Sequence, residues 1–279
     1  NKWYLDDINE KLFVKGSRNL AKEVLEVDSK VVDVVVNLTA WETFFPEKRL
    51  FFLEGQEVFN TMPRNAGMNI VRSGIGSRQT TSTFLGEPTT LLNTRRIGGP
   101  PRSEIPDGIE VASVERGKPT DLLGAAKISG QRGAIRYGVL AAFEDEVELP
   151  GIISVGASKG EPIVFREDGR DFGVARLLYE NTSKGRRSLG YMGTMVAYPG
   201  YDALVNGIDA HWLSPGGGFQ MDMQVMQSEV DDLTGYGLLT DFNYQTKGGV
   251  QHSLKIDYLD ENLNIRDLGF IRRNDSRSI

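Results

Sequence analysis

The sequence predicts an all-β protein of antiparallel hairpins, arranged as in a transmembrane β-barrel that is expected to be incomplete and to have an irregular first third. Between residues 122 and 259, runs of roughly ten residues alternate apolar and polar side chains and are divided by glycine-rich turns, the rhythm of barrel strands. Aromatic residues gather near the ends of these runs, at Tyr198, Tyr201, Trp212, Phe219, Tyr236, Tyr244 and Tyr258, where a barrel carries its interfacial girdles. No apolar run has the length of a membrane-spanning helix, so any crossing is made by strands.

Successive side chains on a strand point to opposite faces, so each run can be sorted residue by residue. Ile135, Tyr137, Val139, Ala141 and Phe143 share one face. Ile208, Ala210 and Trp212 oppose Asp209 and His211, and Phe219, Met221, Met223 and Val225 oppose Gln220, Asp222 and Gln224. Tyr236, Leu238, Phe242 and Tyr244 oppose Asp241, Asn243 and Gln245; Val250, Leu254, Ile256 and Tyr258 oppose Gln251, Ser253, Lys255 and Asp257. A soluble sandwich alternates too, with its apolar face inward, so alternation alone leaves the solvent open. The girdle-like aromatics, the mixed polar faces and tight turns such as Ser183-Lys184-Gly185-Arg186, Ser214-Pro215-Gly216-Gly217 and Lys247-Gly248-Gly249 favour the barrel.

The first third reads differently. A β-branched run at 31–36 predicts a strand. Thr39 and Glu42 have capping-box spacing, which predicts a short helical turn before Pro46. Residues 60–119, rich in Gly, Pro, Arg, Ser and Thr, predict long connections around one or two short strands near 94–97. The chain therefore divides into residues 1–120, strands leading into the barrel with a plug-like segment lining the lumen, and residues 121–279, the up-and-down hairpins. One long insertion spans 144–171, opposite the tight turns near Gln131, Gly185, Gly216 and Gly248. Short turns of outer-membrane barrels are usually periplasmic, so this insertion is expected outside the cell.

Composition sets the remaining bounds. A length of 279 residues with 39% hydrophobic and 25% charged residues suits one or two folded domains. A mean hydropathy of -0.30 is compatible with a barrel, whose lumen positions dilute its hydrophobicity. The net charge of -6 and pI near 5.2 argue against a nucleic-acid partner. Cysteine is absent, which removes disulfides, thiolate metal sites and cysteine nucleophiles. The chain begins at Asn1 without an initiator Met or secretory signal, as expected of a piece of a longer protein.

Four stretches resemble, in order, a family of bacterial outer-membrane proteins. The first is 34–55, with Trp41, the pair Phe44-Phe45, Pro46, Glu47, Arg49, the pair Phe51-Phe52, Glu54 and Gly55. It is followed by Thr94-Arg95-Arg96-Ile97-Gly98, by 123–130 leading into Tyr137-Gly138-Val139-Leu140, and by 267–275. In that family a carbohydrate-binding-module-family-9-like domain precedes a barrel domain of unknown function. The resemblance implies the early part of such a barrel in a Gram-negative outer membrane, in contact with membrane lipid and lipopolysaccharide and linked to a carbohydrate ligand through an absent domain. Leu50 stands where the family carries Pro, and the resemblance supplies no catalytic residue, cofactor or metal ligand.

Two sets of residues are the site candidates. Glu47, Arg49, Glu54, Arg95 and Arg96 are expected to anchor the 44–55 segment against the wall, with Arg95 and Arg96 pairing Glu47 or Glu54. Asp209, His211, Asp222, Asp241, Lys255 and Asp257 are expected to line the lumen as polar groups. His252 is expected at the membrane interface, and the acidic run Glu144, Asp145, Glu146 and Glu148 reads as a solvated loop mouth. The Gly74-Ile75-Gly76 stretch lacks the third glycine and flanking elements of a dinucleotide site. The expected function is non-enzymatic: a pore, transporter or surface-binding scaffold. The rival, a periplasmic or secreted polysaccharide-active enzyme, requires a carboxylate pair flanking a sugar cleft, which the sequence does not display. A third reading, a soluble ligand-binding barrel, turns the apolar faces inward.

Overall fold

Period-two alternation produces strands from residue 122 onward, as expected. In chain order the strands are β1 (Thr89–Thr90), β2 (Ile109–Val111), β3 (Leu122–Arg132), β4 (Ile135–Glu144), β5 (Val147–Ile153), β6 (Pro162–Glu167), β7 (Asp171–Asn181), β8 (Arg186–Tyr198), β9 (Tyr201–Leu213), β10 (Phe219–Val230), β11 (Leu233–Gln245), β12 (Gln251–Leu259), β13 (Phe270–Ile271) and β14 (Ser276–Ser278). The computed structural model describes residues 47–61, 89–101, 105–156, 158–271 and 273–278, all of which fall in one unit, Thr43–Ile279. The strand expected at 31–36, the turn at 39–42 and the glycine stretch around Gly74 lie outside the described residues.

The protein is all-β and antiparallel. Nine strands form one sheet in the order β3, β4, β7, β8, β9, β10, β11, β12, β14. Among the described residues helix is confined to single turns, α1 (Leu50–Leu53) and α2 (Ser113–Arg116), with 3₁₀ turns at Gln56–Phe59 and Thr94–Arg96. The short strand expected near 94–97 is thus a 3₁₀ turn, because the Asn93 side chain accepts a hydrogen bond from the Arg95 N–H and caps it. The 144–171 insertion is folded: β5 and β6 make a hairpin, and β2 adds to β5. Among the described residues, β3 pairs only with β4 and β14 only with β12, so no closed barrel is found.

Turns occupy two ends of the sheet. The β3–β4, β7–β8, β9–β10 and β11–β12 connections lie at one end, here the near end. The far end holds the insertion together with two-residue turns at Pro199-Gly200 and Asp231-Asp232. Asp231 and Asp232 have φ of 49° and 63°, the doubly left-handed backbone of a type I′ turn. Tight turns therefore occur at both ends, and turn length does not distinguish the two sides.

The covered face is the one that carries the charges. Val139, Leu177, Ile208 and Tyr236 are 52–54% exposed, whereas Asp209, Gln224 and Ser228 are 0% exposed. One uncovered apolar surface runs across β4, β7, β8, β9, β10, β11 and β12. The inner face has two halves. Toward the far end it is apolar, with Leu140, Phe172, Val174, Val196, Val205 and Val230 in the core. Toward the near end it is polar, with Ser188, Asp209, His211, Asp222 and Asp241 buried. Tyr198 and Tyr201, expected in an outer girdle, share the inner register and stack on each other, with the Tyr201 hydroxyl donating to Asp267 at 2.9 Å.

Segments from both sides of the strands in sequence fill the inner face. Phe52, Val58, Phe59, Leu91, Ile97, Leu263, Ile265, Leu268 and Ile271 join the core, and β1 pairs with β13. Strand glycines make docking holes: a Cβ on Gly138 would lie 2.7 Å from the Phe59 ring, and one on Gly207 would collide with Leu91. Gly138→Val should therefore expel Phe59 and expose residues 47–61 to protease. Gly124→Val, where a Cβ meets nothing within 4 Å, should leave the limited-digestion pattern unchanged.

Candidate functional site

The polar half of the inner face is built by register. Ser188, His211, Asp222, Asp241 and Lys255 stand directly opposite one another across β8 to β12. Arg176, on β7, reaches into this row across Gly190, where a Cβ would sit 2.5 Å from its Nη1. Its guanidinium pairs in bidentate fashion with Asp209, through Nη1 to Oδ1 and through Nη2 to Oδ2 at 2.8 Å. Both side chains are fully buried.

His211 extends the network. Its Nε2 lies 3.0 Å from Asp209 Oδ2 and its Nδ1 lies 2.6 Å from Asp222 Oδ1. Both ring nitrogens face carboxylate oxygens, and only an imidazolium supplies a proton to each. Arg176 and His211 then balance Asp209 and Asp222 in charge, while Gln220 Nε2 donates to the second Asp222 oxygen at 2.6 Å. Two contacts tie this part of the sheet to the segment above it. Arg176 Nε donates to the Val58 carbonyl at 3.1 Å, and Gln224 Nε2 donates to Thr61 Oγ1 at 3.0 Å. With both ring nitrogens engaged, His211 holds no lone pair for the neighbouring Ser188 hydroxyl. The cluster is organised as an electrostatic tie, not as a base poised beside a nucleophile.

The other lumen candidates also face inward. Asp241 and Asp257 are buried, and Lys255 Nζ pairs with Asp257 Oδ2 at 2.8 Å. A cleft of about 270 Å³ opens beside this pair, between β12 and β14, with Leu239, Ile271, Arg273 and Arg277 in its wall. His252 is exposed on the outer face and stacks on Tyr244.

A second cluster holds the anchor. Arg49 pairs with Glu47 in bidentate fashion, Nε to Oε1 at 3.0 Å and Nη2 to Oε2 at 2.8 Å. The same guanidinium donates to the Ile97 carbonyl at 2.7 Å and the Thr94 carbonyl at 2.6 Å, and the Thr94 hydroxyl donates to Glu47 at 2.7 Å. Glu47 thus reaches the 94–97 turn through Arg49 and Thr94, where pairing to Arg95 or Arg96 was expected. Arg96 is buried and its carbonyl accepts from Arg170 at 3.5 Å. Glu54 contributes its backbone carbonyl, which together with that of Phe51 accepts from Lys127 Nζ. Burial opposes ionisation of Glu47, but the hydrogen bonds and charge of Arg49 and the Thr94 hydroxyl outweigh it and lower its pKa to about 2.

A third cluster escapes sequence reasoning. Glu144 is buried, not part of a solvated mouth, and takes Arg170 in bidentate fashion at 2.6 and 2.9 Å, while its Oε1 accepts from the Gly98 N–H at 2.7 Å. Glu146 and Glu148 do remain outside, paired with Arg166 at 3.6 and 2.8 Å. Arg176 was missed as well. Its signal is a charge set among Phe172, Val174 and Leu178 on the inner face of β7.

Residues 83–279, more than half of the chain, match the model of a domain of unknown function, DUF5916. The chain belongs to this family. Ion network, Glu144–Arg170 pair and uncovered apolar surface all lie within the DUF5916 match, while Glu47 and Arg49 precede it. Among curated proteins, a 54-residue stretch is 52% identical to NAD(P)H-quinone oxidoreductase chain 5 of Synechocystis sp., covering 19% of this chain and 8% of that protein. Similar stretches of 58 residues are 48% identical to the Picosynechococcus sp. protein and 45% identical to the chloroplastic subunit 5 of Mesostigma viride, each covering 21% of this chain and 9% of the relative. The chain thus spans less than a tenth of these relatives. No solved structure matches.

Arg176→Met should cost about 3–5 kcal/mol, because it strands Asp209 in a buried site. Gly190→Ala should lower stability in the same direction by crowding the guanidinium. Urea-unfolding midpoints test both. For Glu47, the folded pKa of about 2 lies below the ordinary 4.5 of a glutamate, so its stabilisation is fully present above pH 4.5 and is lost as pH falls toward 2. Proteolytic release of the 47–61 segment should rise across that window, and Glu47→Gln should abolish that component of the pH dependence.

Proposed function

We propose that this chain forms wall and plug of a non-enzymatic outer-membrane β-barrel, a pore, transporter or surface-binding scaffold whose lipid-facing side is the uncovered apolar face. The carrying observation is the inversion of the sheet: charged side chains lie on the covered face, and Ile, Leu, Val and Tyr side chains stand exposed on the other. In water an uncovered apolar surface spanning seven strands would far exceed the few hundred Å² that monomeric soluble proteins leave open. In hydrocarbon the same arrangement is favourable. Strand length supports the reading. β8, β9 and β11 have 13 residues each, about 43 Å at ~3.3 Å per residue and about 30 Å of bilayer thickness when tilted by ~45°.

The inner face supports a plugged lumen more than an open channel, because the segments around Phe59, Leu91 and Leu268 occupy its apolar half. A carbohydrate ligand, reached through a further domain, remains part of the proposal on the family resemblance. The short stretches shared with NAD(P)H-quinone oxidoreductase subunits support no transfer of that activity.

The reading is tested by lipid contact. With Trp3 and Trp41 replaced by Phe, fluorescence from Trp212 on the outer face should be quenched by lipids brominated on their acyl chains, and the folded protein should change mobility on a detergent gel when boiled. Unquenched emission with no mobility change would turn the apolar face toward protein instead of lipid.

A further inference from the structure

The two ends of the sheet carry opposite charge. Arg132, Arg136, Lys184, Arg186, Arg187 and Lys247 cluster at the near end, and Glu180 is the only acid within residues 131–136, 180–187, 213–219 and 245–251. Glu180 is occupied by Arg186 at 2.7 Å and Arg136 at 3.7 Å. Arg132, Lys184, Arg187 and Lys247 are exposed, and none stands opposite a carboxylate in the strand register. The far end is net acidic: the insertion, 145–171, holds Asp145, Glu146, Glu148, Glu161, Glu167, Asp168 and Asp171 against Lys159, Arg166 and Arg170, and 197–203 and 228–234 hold Asp202, Glu229, Asp231 and Asp232 and no cation.

Aromatic rings on the outer face sit at the same level as two of the cations. Arg187 stands directly opposite Trp212, whose ring meets Phe219 edge-on at 5.5 Å, and Arg132 is level with Tyr179 through Ile135. Lys184 and Lys247 lie in the turns beyond. Cations at and just beyond an aromatic row, on the edge of an apolar surface, match the layering of a bilayer: phosphate, interface, hydrocarbon. From this the geometry points to an interaction surface: the near end docks into a layer of anionic lipid phosphates through Arg132, Lys184, Arg187 and Lys247, and the acidic far end stands at the opposite side of the membrane.

The inference rests on the barrel reading and adds to it a lipid chemistry and an orientation. It also separates the two ends where turn length does not. A basic residue near an anionic membrane surface contributes about five-fold to partitioning, and the contribution is screened by salt.

The test uses the whole chain refolded with vesicles of phosphatidylcholine alone and of phosphatidylcholine mixed with phosphatidylglycerol. Insertion is read by protease protection, and partitioning by sedimentation. Expected are insertion in both, tighter partitioning into the anionic vesicles at low salt, and at least a tenfold loss of that preference in the Arg132→Gln, Lys184→Gln, Arg187→Gln, Lys247→Gln variant. These four side chains are exposed and outside the buried network, so the variant should still fold. Insertion without a preference for anionic vesicles, or a preference that survives the variant, overturns this inference alone. Failure to insert in either vesicle overturns the barrel reading and this inference with it.

Discussion

The contact of Arg176 with Asp209 is the interaction on which the inner face depends. Each ion gives up several kcal/mol of hydration on burial, and only a well-aligned partner with its remaining donors and acceptors met offsets that loss. Here the alignment spans four consecutive strands: Arg176 on β7, the gap at Gly190 on β8, Asp209 and His211 on β9, and Asp222 on β10. A one-residue shift of any of them would turn its charge to the outer face. The network therefore specifies register where alternation alone would accept several. Arg176 also holds the overlying segment at the Val58 carbonyl, and Gln224 holds it at Thr61, so the sheet and its covering segment are fastened beside the same network.

The division of the inner face follows from what covers it. Where Phe59, Leu91, Leu263 and Leu268 pack, the strands present Leu140, Phe172, Val174 and Val205, and burial is driven by apolar area. Toward the near end the strands present Ser188, His211, Asp222 and Asp241, and His211 pairs with Asp209 and Asp222. The anchor at Glu47 and Arg49 and the Glu144–Arg170 pair fasten the 94–99 turn from two sides, since Arg49 takes carbonyls of Thr94 and Ile97 and Arg170 takes those of Arg96 and Gly99.

Alternation made the hairpins and the inward set Asp209, His211, Asp222, Asp241, Lys255 and Asp257 legible in the sequence, because period two is a local property. Partners distant along the chain were not legible. Arg176 meets Asp209 33 positions away and Arg170 meets Glu144 26 positions away, and nothing local marks either pair. Arg95 and Arg96 attracted the anchor role by being adjacent cations, yet the turn they occupy is gripped through its backbone by Arg49. Tyr198 and Tyr201 read as girdle residues from their place at strand ends. Their parity puts them inside, where an acidic partner, Asp267, comes from a segment 66 residues on.

The outer side of β3 leaves one more mark on the behaviour of this chain. Along its 11 residues, backbone donors and acceptors on the side away from β4 meet no strand among the described residues, and no proline interrupts them. Such an edge is a template that copies itself: until another strand covers it, each molecule offers the next a place to add its own backbone, and production of this chain in a cell becomes a race between covering the edge and fibrous or amorphous deposit.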